Sequence, residues 1–170
     1  MSLSNNYFHY WVDSKKDEEI KKFQECIDSY IYFKKDSLLI TNQLIRENRN
    51  FQAPKLLKTF LLLFSRDINK LTLAKDTIKS ISIDNTNNHF HKYLEVAKLW
   101  INNDLKNLLN KLELIIKENP KDIFAIRLFH FNNIFVGIDG KFLEKHEEIL
   151  SKWSENDQHY NLLLGMTSYA

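Results

Sequence analysis

"WINNDLKNLLNKLELIIKENPKDIFAIRLFHFNNIFVGIDGKF", residues 100–142, decides the fold. Leu105, Leu108, Leu109, Leu112, Ile115 and Ile116 recur at the three- and four-residue intervals that line one side of a helix. The polar triplet Asn102-Asn103-Asp104 separates this helix from the one before it, and Asn119-Pro120 ends it. Pro120 is expected at the first helical position of the next segment, with Asp122 where an acid meets exposed backbone N–H groups. That segment closes at Gly137, a residue free to take the left-handed conformation. Breaks this short force successive helices to pack antiparallel, as hairpins.

The same reading extends outward in both directions. Ile20, Phe23, Ile27, Tyr30 and Ile31 form one face of a helix starting near Asp17. A second follows the cap-type residue Asp36, and a third is expected near Pro54, apolar nearly all round and so buried on more than one side. A fourth places Ile68, Leu71, Ala74 and Ile78 on its apolar face, and a fifth turns Tyr93, Leu94, Ala97 and Trp100 inward. The polar stretch 84–88 is the best linker candidate. It divides the chain into an N-terminal extension (1–16), N-terminal hairpins (17–84), and later hairpins with an open last helix (85–170).

Composition agrees with helices throughout. The 170 residues include only 3 Gly and 2 Pro, against average usage of about 7% and 5%. A sandwich or barrel needs turn residues every 8 to 12 positions or so, and this chain lacks them. A formal charge of +2 leaves no electrostatic footprint for nucleic acid. The longest apolar run, "FLLLF" at 60–64, is far short of the roughly 20 residues that span a bilayer, and the start has no signal-peptide pattern. These features point to a cytoplasmic protein with neither a membrane nor a nucleic acid as partner. The single cysteine, Cys26, reads as a small buried hydrophobe.

Two of the breaks, at Asn103 and at Gly137, lie 34 residues apart, the spacing of the tetratricopeptide repeat. The fold expected is therefore all-α: a right-handed stack of antiparallel helical hairpins, a degenerate tetratricopeptide-repeat-like α-solenoid. Trp100, the Pro120-x-Asp122 turn, Ala125, His130, Gly137 and Gly165-Met166 occur in an order that resembles the tetratricopeptide-repeat protein 38 family. That resemblance implies a fold and leaves the function open, since it brings no reaction and no catalytic residues with it. It also implies a longer chain, of which these residues would be the N-terminal part.

In tetratricopeptide folds the first helix of each pair lines the concave surface. That register directs Tyr93, Ala97, Trp100 and Ile101, then Arg127, Phe131, Ile134 and Phe135, toward a groove. Such an apolar lining is either core, covered by other helices, or a seat for an apolar protein segment. His89 and His91, two positions apart on a helix, point about 200° apart and cannot chelate. His146 among Glu144, Glu147 and Glu148 reads as part of a charged, exposed face. His130, amid Phe129, Phe131 and Ile134, reads as a hydrogen-bonded structural histidine, with general-base chemistry as the alternative. No G-x-S-x-G, H-E-x-x-H, P-loop or G-x-G-x-x-G is present. No catalytic residue, metal ligand or cofactor is therefore assigned, and the expected function is a non-enzymatic scaffold that binds a protein or peptide. The alternatives are an enzyme or accessory domain with a site near His130, and a helical-repeat RNA binder. Leu162, Leu163, Leu164, Met166 and Tyr169 of the last helix cannot all face inward, which adds an expectation of self-association there.

Overall fold

The structure, a computed structural model, describes residues 11–34, 36–84, 87–137 and 141–170. Those residues are all-α: α1 Asp17–Ile31, α2 Ser37–Glu47, α3 Ala53–Phe64, α4 Ile68–Lys79, α5 Asn88–Ile101, α6 Leu105–Glu118, α7 Ile123–Val136, α8 Phe142–Leu150 and α9 Tyr160–Tyr169. Among the described residues there is no strand, and no helix long and apolar enough to cross a membrane. The chain forms two compact units, Met1–Asp104 and Leu105–Ala170.

In the first unit each helix packs on the next, and α3 also packs on both α1 and α5. This alternate-helix contact is how stacked hairpins supply one another's core. The core is aromatic. Trp11 stacks on Tyr93 at 4.7 Å and meets Phe23 edge-on at 5.2 Å, while Trp100 meets the ring of Phe64 at 5.0 Å. The division at 104 corrects the boundary expected within 84–88. Helix α5 belongs to the first unit because Phe90, Tyr93, Val96 and Trp100 are buried, with Tyr93 and Trp100 against Trp11, Phe60 and Phe64. Residues 85 and 86 of that expected linker lie outside the described residues.

The expected N-terminal extension needs the same correction over its described part, 11–16. Trp11 is fully buried and Val12 nearly so. Both carboxylate oxygens of Asp13 accept from the first backbone N–H groups of α3, those of Gln52 and Ala53, at 2.8 Å each. A carboxylate at a helix N-terminus satisfies orphan donors and meets the positive end of the helix dipole. Here the cap comes from a distant part of the chain, where local capping rules do not look.

A chain so poor in glycine must end its helices with other residues. Phe33, Arg66 and Asn103 all adopt left-handed backbone, with φ of 53°, 52° and 57°. At Phe33 and Asn103 the paired bonds of a Schellman motif are complete: Lys34 N to Ser29 O with Phe33 N to Tyr30 O, and Asp104 N to Leu99 O with Asn103 N to Trp100 O. Asp36 holds the N-cap position of α2 but makes no side-chain cap, whereas Asp67, Asn87 and Asp122 cap α4, α5 and α7. On α4 only Ala74 of the four expected face residues is buried, and Ile68 is 73% exposed.

In the second unit α6 packs on α7 and α8 on α9. Pro120 lies in the turn before α7 and not at its first helical position, because Asp122 is the N-cap, accepting from Ala125 N at 3.0 Å. The loop between α8 and α9 is fastened to that turn twice. Trp153 Nε1 donates to the carbonyl oxygen of Pro120 at 2.8 Å, and Lys121 pairs with Asp157 at 2.7 Å. The expected turn at Gly137 begins with a left-handed glycine, φ 98°. Its residues 138 and 139 lie outside the described residues.

Candidate functional site

Helix α7 is apolar on nearly every side, and it buries most of them: Phe124, Ile126, Leu128, Phe129, His130, Asn132 and Asn133 are all enclosed. Apart from Val136 at the C-terminal end of the helix, one strip remains open. Arg127, Phe131 and Ile134 are half-buried, Phe135 is 45% exposed, and the rings of Phe131 and Phe135 meet at 4.8 Å. These four are the α7 part of the expected groove, and their spacing puts them on one face. Its α5 part is different. Tyr93 and Trp100 are 1% and 8% exposed, so they are core residues of the first unit rather than an open lining.

Behind the strip lies an arrangement that sequence reasoning missed. His146 is fully buried, against the expectation of a charged exposed face. Its neighbours Glu144, Glu147 and Glu148 are exposed, but Phe142, His146 and Ile149 share the buried stripe of α8. That i, i+4, i+7 spacing was the available signal, hidden by the charges around it. His130 Nδ1 lies 3.0 Å from His146 Nε2, and His146 Nδ1 lies 3.0 Å from the carbonyl oxygen of Phe142.

The carbonyl can only accept, and this orders the whole chain of bonds. His146 donates through Nδ1–H to Phe142, so as a neutral ring it offers Nε2 as an acceptor. His130 then donates Nδ1–H to His146 and is left with Nε2 as a lone-pair acceptor. Burial holds the His130 imidazole down to about 4, with the positive charges of a protonated His146 and of Arg127 adding to the effect. Burial likewise lowers His146, against the pull of its bond to Phe142. Both rings are neutral near pH 7.

His130 lines a cavity of about 270 Å³ together with Arg127, Asn161, Leu162, Gly165, Met166 and Tyr169. The lining contains no carboxylate, thiol or serine that His130 could activate. The described residues hold no group of three or more His, Cys, Asp or Glu side chains able to take a metal. His89 is half-buried and His91 exposed, at the start of α5. Cys26 is fully buried, and burial pushes its thiol up to about 11, so it packs as a small hydrophobe. No known protein family, curated protein or solved structure matches the chain.

Proposed function

We propose that this chain is a non-enzymatic interaction module of the tetratricopeptide-repeat-like kind, akin to the tetratricopeptide-repeat protein 38 family, that holds a segment of a partner protein in the cytoplasm. The observation that carries the reading is the open strip of α7, where Phe131, Ile134 and Phe135 present apolar surface beside the cationic Arg127. Paired aromatics next to an arginine are the residue types that dominate binding energy at protein interfaces. An apolar strip at helical spacing suits an amphipathic or extended apolar segment. Self-association through α9 is a subsidiary proposal, supported by the exposure of Leu164 (41%) and Tyr169 (64%).

The test is affinity capture from lysate with the wild-type protein and with Phe131→Glu/Phe135→Glu. The reading expects a protein retained by the first and lost by the second, with equal melting temperatures for the two baits. Retention unchanged by the double substitution, or no specific retention at all, overturns it. Light scattering at micromolar concentration tests the subsidiary proposal, which a monomer refutes.

A further inference from the structure

We infer that the cavity between α7 and α9 is an anchor pocket for the phenolic side chain of a tyrosine on the partner protein. This rests on the reading of the chain as a protein-binding module for the source of the ring, and on the cavity itself for the chemistry.

The polar groups narrow the ligand first. With Nδ1 committed to His146, the nitrogen His130 has left for anything in the cavity is Nε2, which accepts a hydrogen bond and cannot donate one. Arg127 lies one helical turn away on the same face and only donates. Asn161, the third polar residue of the lining, donates and accepts through its amide and so adapts to either kind of group, whereas a group that meets both His130 and Arg127 must itself donate and accept. A hydroxyl does so with a single oxygen, whereas a carboxylate has no proton for Nε2 and an indole N–H has nothing for the guanidinium.

The walls and the size narrow it further. Leu162 and Met166 supply apolar surface, and the ring of Tyr169 stands 5.8 Å from that of His130. A methionine sulfur and aromatic edges favour a flat ring over an aliphatic alcohol. A volume of about 270 Å³ falls below the roughly 300 to 1,000 Å³ of pockets for drug-sized molecules. It suits one side chain.

Gly165 adds an independent sign. It sits in the interior of α9, where glycine costs about 1 kcal/mol relative to alanine. Nothing lies within 4 Å of where its Cβ would be, so packing does not demand a glycine. What the missing side chain does is leave the cavity open. Arg127 belongs to both the cavity and the open strip of α7, so a segment lying along Phe131 and Phe135 has the pocket at its side.

The experiment is a titration of the 170-residue protein, followed by NMR of the Gly165 and Met166 amides and of the His130 ring nitrogens. The probes are p-cresol, 4-methylanisole and toluene: the tyrosine ring, the same ring unable to donate, and the ring without oxygen. The inference expects p-cresol to shift these signals and to bind about tenfold or more tightly than either of the others, the loss that follows when a buried acceptor goes unmatched. It expects Gly165→Leu, which fills open space, to abolish the shifts while leaving the remaining amide spectrum intact. Equal binding of toluene and p-cresol, or no response to p-cresol, overturns the pocket. N-acetyltyrosine amide must then bind where N-acetylphenylalanine amide does not. Failure of that pair alone overturns the tyrosine source. If p-cresol fails while Phe131→Glu/Phe135→Glu still abolishes partner capture, the module reading stands without the pocket.

Discussion

Trp153 donates its indole N–H to the carbonyl oxygen of Pro120 over 2.8 Å, joining the α8–α9 loop to the turn in front of α7. Trp153→Phe keeps most of the ring and removes the donor, so it should cost about 1 to 2 kcal/mol in a denaturant titration of the intact protein. Pro120→Ala keeps the carbonyl and should cost about 1 kcal/mol or less, because proline there acts mainly on the unfolded chain. A larger loss for the proline variant would mean that its ring, and not its carbonyl, carries the contact.

Trp100 lies against Phe60 and Phe64 with 8% of its surface exposed. Trp100→Ala should destabilise by roughly 3 to 5 kcal/mol, as for other buried aromatics. A loss below about 1 kcal/mol would be the behaviour of a surface residue.

Both buried imidazoles are held below the ordinary value of 6.5, His130 to about 4. The unfolded chain therefore binds protons that the folded chain excludes. Their contribution is complete above pH 6.5 and is lost as the pH falls toward 4. For His130 alone this is a loss on the order of 3 kcal/mol. Melting curves between about pH 7 and pH 5 should fall more steeply for the wild type than for His130→Leu/His146→Leu, which has nothing to protonate there. Parallel curves would show that the pair is solvated.

Phe33 takes a left-handed backbone with its ring 73% exposed. Phe33→Gly relieves that conformation and gives up little packing, so the variant should gain about 0.5 to 1 kcal/mol. A decrease in melting temperature would mean that what the side chain contributes outweighs the relief of the backbone.

Gly165→Ala places a methyl group where nothing lies within 4 Å. The variant should be more stable by up to about 1 kcal/mol, the difference between the two residues inside a helix. Thermal denaturation reads it directly, and destabilisation would mean that α9 cannot accept a Cβ at this point.

What the sequence disclosed, and what it withheld, follows from the range of each interaction. Asp17, Pro54 and Asp122 mark helix starts through bonds and dipoles within a turn of themselves, and they lie where local rules put them. Ile68 shows the limit of periodicity: it falls on an apolar stripe, yet no element covers it. His146 shows the opposite case, in which three glutamates within two residues obscure a position on the buried stripe. The cap that Asp13 supplies to α3 and the seat of Trp11 against Tyr93 depend on partners far along the chain, and no local pattern records them.

Those same distant bonds govern how the first unit comes into being. Hairpins held only by nearest neighbours can form or fray one pair at a time from either end. Asp13 reaches Gln52 and Ala53 across 39 and 40 positions, and the carbonyl of Val12 accepts from Asn87 across 75. Residues 11–13 therefore wait for α5, made later than they are, before Trp11 has Tyr93 to stack on. Closing so long a loop is slow for an otherwise local helical topology, and it is rewarded only when both ends are in place. The first unit thus acquires the all-or-none kinetics of a globular domain, with the segment from Trp11 to Asp13 serving as its last latch.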